Sequence, residues 1–294
     1  MNLLKQIEKK NSMHYKRIDK FIKSLDKNQI EEIAFQIDRY LDFAKGINIS
    51  EEEVIESYLG MVDSIFEEQF FFVRENRYRF STLEEVADNV YHNEENMKAY
   101  MLGLALSQFL WENHYKMFCF LRENFSTQRE RGRYLEIGVG HGLFFEAAVK
   151  SQKYSTYDLV DISKSSIELS KALVGEKKDK ANWHHKDFLN FSSAIKYDFI
   201  TMGEVLEHVE RPKVMLKKLL ELLDVKGKAY ISTCANAPVT DHIYLFRSVD
   251  EIRNMLINTG FKIDKEFTIS VDNIPKEKWI SKRANITYAA IVSR

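Results

Sequence analysis

The chain has 294 residues, 30% of them charged and 45% hydrophobic, with a formal net charge of −1. That balance describes an ordinary globular chain and argues against a polyanion such as nucleic acid as partner, because binders of that kind carry a basic surplus. Two cysteines, Cys119 and Cys234, form no disulfide framework, the N-terminal segment carries charge too early for a secretory leader, and no apolar run approaches a bilayer span, so a cytoplasmic protein without a membrane segment is expected.

In chain order, the first part is helical. All three prolines, Pro212, Pro238 and Pro275, lie in the second part, and residues 1–128 contain only Gly46, Gly60 and Gly103. Long amphipathic stretches without breakers predict helices over roughly 13–25, 27–44, 51–74, 82–91 and 93–124. Capping boxes are expected at Asp26 with Gln29, Ser50 with Glu53 and Ser81 with Glu84. A polar run, Ser126 to Arg133, predicts the joint, giving a helical domain over 1–127 and a second domain over 128–294. The aromatic stretches of the first part read mostly as bundle core. The segment 91–115 runs directly into the second domain, so Tyr91, Tyr100, His114 and Tyr115 are the candidate substrate contacts.

The second part alternates strand and helix, with strands expected near 133–137, 156–161, 182–185, 197–202 and 226–233, which requires a mostly parallel sheet covered by helices. Two consecutive strands at the tail, 261–269 and 286–292, predict an antiparallel pair at the sheet edge. The fold expected is therefore α/β, a Rossmann-like sheet with an antiparallel C-terminal pair, preceded by an all-helical part.

The first of these strands leads into the most informative stretch, Tyr134-Leu-Glu-Ile-Gly-Val-Gly-His-Gly142. Glycines at alternate positions let backbone approach a ligand at a helix N-terminus. The spacing is not G-x-G-x-x-G, and no Lys-Ser/Thr follows, so neither a dinucleotide nor a Walker-type phosphate site is indicated. Asp161 closes the second strand about 20 residues later, where open α/β sheets place the acid that grips ribose hydroxyls. Asp187 with Phe188 follows the third strand, and Met202-Gly-Glu-Val-Leu-Glu-His208 follows the fourth.

The pattern E-x-G-x-G-x-G, with these acids after successive strands, resembles the class I S-adenosylmethionine-dependent methyltransferases. The resemblance covers about residues 130–294. It implies S-adenosyl-L-methionine as cofactor, contacted by Glu136, Gly138, Gly140, Gly142, Asp161, Ile162 and Gly203, with Asp187 and Phe188 at the adenine. Glu204-x-x-Glu207-His208, if helical, would put two carboxylates and an imidazole on one face. With His242 after the fifth strand, it resembles two groups of metal-dependent O-methyltransferases, those of small RNAs and of quinone biosynthesis. Glu204, Glu207, His208 and His242 would then hold one divalent cation, Mg²⁺ or Mn²⁺, against the acceptor oxygen. Without metal, His208 or His242 would act as general base beside Glu204. The expected acceptor is a small molecule, methylated at a hydroxyl. N-methylation of a small molecule and 2′-O-methylation of RNA are the alternatives, and a non-catalytic copy of the fold would have no need of all four motifs.

Overall fold

The computed structural model describes residues 2–87 and 94–294, with backbone alone for 94–98. Among the described residues, seven helices come first: α1 (Asn2–Lys10), α2 (Ser12–Ile22), α3 (Lys27–Gly46), α4 (Glu51–Glu75), the single turn α5 (Leu83–Val86), α6 (Glu94–Leu110) and α7 (Glu112–Asn124). The caps at Asp26 and Ser50 are complete boxes closed by Gln29 and Glu53. The next box is one residue later than the sequence suggested. Thr82 caps and Glu85 closes it, while Ser81 adds its own N–H to the Glu85 carboxylate at 2.8 Å. The long helix expected over 93–124 is two helices. Trp111 adopts extended backbone between α6 and α7, and its indole N–H donates to the Tyr58 hydroxyl on α4 at 2.7 Å.

The sheet begins with β1 (Gly132–Ile137), followed by α8 (Leu143–Lys150), β2 (Tyr154–Asp161), α9 (Lys164–Val174), β3 (Ala181–His185) and β4 (Tyr197–Gly203). Then come α10 (Pro212–Leu222), β5 (Leu223–Ala235), α11 (Val249–Thr259), β6 (Lys262–Ser270), the short α12 (Trp279–Lys282) and β7 (Ile286–Ser293). The strand order is β3-β2-β1-β4-β5-β7-β6. The first five strands pair in parallel, and β7 lies antiparallel between β5 and β6. The Rossmann-like sheet with an antiparallel tail is therefore present as expected. Successive strands step outward in opposite directions from β1 and β4, which makes that junction the switch point where open α/β sheets bind ligands.

Alternation along each strand assigns the two faces. Tyr134, Phe199 and Tyr230 bury against α3, α4, α6, α7 and α8, whereas their neighbours Leu135, Ile200 and Ile231 bury against α10 and α11. The N-terminal helices thus share one hydrophobic core with a face of the sheet. A charged clamp reinforces the contact. Arg39 of α3 reaches the nearly buried Glu146 of α8 in a bidentate pair, one arm at 2.6 Å, with Lys177 at 3.2 Å. No helix among the described residues is long and apolar enough to cross a membrane.

Candidate active site

The loop after β1 turns back on itself through three positive-φ glycines, Gly138, Gly140 and Gly142, at +74°, +52° and +76°. Only glycine takes that backbone repeatedly without strain. A Cβ on Gly140 would meet just the Met101 side chain at 4.0 Å, so this stretch of backbone is open toward α6. Asp161 at the end of β2 holds the loop in shape. One carboxylate oxygen accepts from the Val139 N–H at 2.8 Å and more weakly from Gly140 at 3.4 Å, and the other accepts from Ser163 at 2.7 Å. Burial raises the Asp161 pKa, and those three backbone donors oppose the rise.

Across the switch point, β4 ends at Gly203, which must be glycine for packing reasons: a Cβ would lie 2.5 Å from the Phe144 ring. The next residue, Glu204, sits in the left-handed region at φ +53°, and its N–H is held by the Ser232 carbonyl at 3.1 Å. A non-glycine residue in that conformation is held there by its surroundings, and such strain concentrates at functional sites. Glu204 is therefore not on a helical turn. The helical piece is only the 3₁₀ segment Leu206–His208. The i, i+3, i+4 alignment expected for Glu204, Glu207 and His208 does not form, and the three come together by a sharp bend instead.

The loop after β5 brings the remaining groups. Ile243 and Tyr244 both donate N–H to the Glu207 carbonyl at 2.9 Å, which folds 236–244 over the 3₁₀ turn. His242 and His208 then meet edge to face, with ring centroids 4.7 Å apart. Both tautomers are set by carbonyls. His242 Nδ1–H donates to Ala237 at 2.7 Å and His208 Nδ1–H to Asp241 at 3.1 Å, leaving a lone pair on each Nε2. Burial, with His208 alongside, lowers the His242 pKa to about 3, so this imidazole stays neutral. Glu207 is fully buried, accepts from the Thr233 hydroxyl at 2.7 Å and shares a hydrogen bond with Glu204. Burial and the mutual repulsion push the Glu207 carboxyl well up, so the pair retains a proton.

Two overlapping sets of ligand atoms result: Glu207, Cys234 and His242, and His208, Asp241 and His242, each set within 4.8 Å. Glu204 belongs to neither, although one of its oxygens is buried without a hydrogen bond. Asp241 and Cys234 were missed by sequence reasoning. The Asp241-His242 pair was the available signal, because adjacent residues in a tight loop can turn two ligands to one side.

All of this opens on one cavity of about 1080 Å³, at the upper end of the roughly 300–1,000 Å³ usual for small-molecule sites. Its floor includes Gly138, Gly140, Asp161, Ile162, Gly203 and the Glu204–His242 cluster, and its roof is made by α2, α4, α6 and α7, with Tyr100 and His114 among the lining residues. Other expected contacts lie elsewhere. Glu136 is fully buried beneath the loop, bonded by the Tyr134 hydroxyl at 2.7 Å, and burial raises its pKa to about 8. Gly142 is the N-cap of α8, and a Cβ there would press on Ser170. The Asp187 carboxylate caps the following 3₁₀ turn through Leu189 N–H at 2.8 Å, and Phe188 is buried in the core of the opposite face. None of these four is on the cavity wall. Tyr115 is likewise core, against Phe21. Tyr91 lies outside the described residues.

Residues 110–266 match a family described as "Methyltransferase domain", and the chain belongs to that family. The fold is the Rossmann-like fold of the S-adenosylmethionine-dependent methyltransferases. The chain is 31% identical to a ubiquinone biosynthesis O-methyltransferase of Coxiella burnetii over 123 residues, 42% of this chain and 51% of the relative. It is 31% identical to a malonyl-[acyl-carrier protein] O-methyltransferase of Ilyobacter polytropus over 102 residues, 35% of this chain and 38% of that one. The matched stretches thus span about half or less of those relatives' length. In three dimensions it is similar to phosphoethanolamine N-methyltransferase 2 of Haemonchus contortus in complex with S-adenosyl-L-methionine, with TM-score 0.54 and 14% identity over 74% of this chain and 61% of the other. At that identity the likeness concerns the fold.

Proposed function

We propose that the protein transfers the methyl group of S-adenosyl-L-methionine to a hydroxyl of a small-molecule acceptor, with a divalent cation at the acceptor end. The observation that carries this reading is the single cavity with a glycine loop at one end and paired imidazoles and carboxylates at the other. The loop fits the cofactor because Gly140 presents bare backbone to open space, and Asp161 stands on the wall beside it. Asp161 and Ile162 are assigned to the ribose and adenine. Oxygen as acceptor atom is supported by the O-methyltransferase names of the sequence relatives.

The cation end fits by the chemistry of its donors. Two imidazoles, each with its Nδ1 turned to a carbonyl, and a carboxylate suit Mn²⁺ or another borderline ion, and Mg²⁺ would lean on the oxygens. The set expected from sequence was Glu204, Glu207, His208 and His242. We assign His208, Asp241 and His242 as ligands, with Glu207 next to His242 and the Glu204 carboxyl facing the acceptor. When bound, S-adenosylmethionine supplies an electrophilic methyl on sulfonium, and a cation would lower the pKa of the acceptor hydroxyl.

The protein's own part is orientation, deprotonation and exclusion of water. The helical roof encloses the methyl. His208, about a quarter exposed and on the cavity wall, would take the hydroxyl proton only where no cation occupies its Nε2. His242, neutral down to about pH 3, is suited to ligation more than to proton transfer. Transfer of labelled methyl to a panel of small hydroxylated and aminated acceptors tests the reading. Label should enter hydroxyl compounds, fall at least tenfold in excess chelator and return with Mn²⁺ or Mg²⁺. Transfer to amines alone would overturn the oxygen assignment, and full activity in chelator would overturn the cation.

A further inference from the structure

Three further polar side chains line the same cavity, and two of them, His114 and His141, are near enough to interact electrostatically. The three are Gln108 of α6, His114 of α7 and His141 of the loop itself. Gln108 is 3% exposed, and its side-chain oxygen has no hydrogen-bond partner. A buried amide oxygen left bare costs about 1–3 kcal/mol, which a ligand donor would recover.

The two histidines have defined tautomers. The Ser107 hydroxyl has one proton, and it goes to the Leu104 carbonyl at 2.6 Å. His114 Nδ1, 2.8 Å from the same hydroxyl oxygen, must therefore be the donor in that contact. The remaining nitrogen, Nε2, carries a lone pair. In His141 the arrangement is reversed: Nδ1 accepts from the Leu143 N–H at 3.1 Å, so Nε2 carries the proton. Burial lowers both rings, His114 to about 4 and His141 to about 3, so both are neutral at pH 7.

The three thus offer two bare acceptors from the roof and one donor from the loop. That set complements a zwitterion, an ammonium against the acceptors and a carboxylate against the donor. Proximity to the loop points to the cofactor in preference to the acceptor. Met101, on the same helix as Gln108, is the roof atom nearest to Gly140. The break of the long helix at Trp111 puts Gln108 and His114 on different helices, and both line the one cavity.

We infer that Gln108 and His114 bind the α-ammonium of the cofactor's methionine portion while His141 donates to its carboxylate. This inference rests on the cofactor reading above. It gives the helical part a share in fixing the sulfonium as well as in enclosing the acceptor.

The probes are S-adenosylhomocysteine, which has the amino-acid tail, and 5′-methylthioadenosine, which lacks it. Calorimetry measures both on wild type, Gln108→Leu and His114→Phe. Each substitution should weaken S-adenosylhomocysteine about tenfold or more and leave 5′-methylthioadenosine unchanged, a control that also reports an intact fold. Binding of S-adenosylhomocysteine with an unaltered ratio between the two nucleosides in both variants overturns this inference and leaves the cofactor reading standing. A wild type that binds neither nucleoside overturns both. Loss of both nucleosides in a variant whose melting temperature is unchanged also contradicts the assignment, since the tail would not be what the residue holds.

Discussion

Replacing Glu146 with glutamine should loosen the helical roof. Glu146 is 4% exposed on α8, directly behind the glycine loop, and pairs with Arg39 of α3 as well as Lys177 and Lys150. Burial alone would raise its pKa, yet the Arg39 pair and the two lysines bring it down to about 2 from 4.5. The difference between 4.5 and about 2 corresponds to about 3 kcal/mol of stability. Because the folded pKa is depressed, this stability is complete above about pH 4.5 and is lost as the pH falls toward 2. At pH 3 about 1.4 kcal/mol should remain. Denaturant unfolding of wild type and Glu146→Gln at pH 7 and pH 3 measures the difference directly. The variant should be about 2–3 kcal/mol less stable at pH 7, roughly 4–10 °C in melting temperature, and the gap should at least halve at pH 3. A gap equal at both pH values would show that the charge is not what holds α3 to α8.

Gly203→Ala places a methyl 2.5 Å from the Phe144 ring, which is stacked on Phe118 and would have to give up part of that contact to move. It should cost about 1–3 kcal/mol in denaturant unfolding and weaken S-adenosylhomocysteine at the adjoining wall, whereas unchanged stability would mean that the ring moves freely. Tyr58→Phe removes a hydroxyl that accepts from Trp111 at 2.7 Å and shares a hydrogen bond with His14 Nε2 at 2.6 Å. Thermal unfolding should fall by the equivalent of about 1–3 kcal/mol. Adding Trp111→Phe should cost less than it does in wild type, and full additivity would contradict the shared bond.

What the sequence made legible was whatever short-range patterns determine. Strand positions followed from apolar runs, and the caps at Asp26 and Ser50 followed from a three-residue spacing that is local chemistry. The glycine loop was legible because positive φ at alternate positions leaves glycine little competition. The break at Trp111 was not, since neither glycine nor proline marks it and the hydrogen bond that accompanies it is to Tyr58, 53 residues away. The site was half legible for a similar reason. Glu204, Glu207, His208 and His242 do gather at one place, but a helical period was assumed where the backbone turns left-handed at Glu204. Asp241 arrives only because Ile243 and Tyr244 bond the Glu207 carbonyl. Asp187 and Phe188 occupy the expected position in sequence, but the 3₁₀ turn at 188–190 takes their side chains into a cap and a core.

The claim on which the account depends is that this cavity holds S-adenosylmethionine on the glycine loop. Calorimetric titration of the wild-type chain with S-adenosylhomocysteine and with NAD, repeated on Asp161→Ala, tests it most directly. Asp161 both faces the cavity and holds the Val139 and Ser163 N–H groups, so its removal should weaken the nucleoside at least tenfold. The account predicts micromolar-class binding of S-adenosylhomocysteine to wild type, its loss in the variant and no heat from NAD. No binding of S-adenosylhomocysteine, or equal binding by wild type and variant, would contradict it.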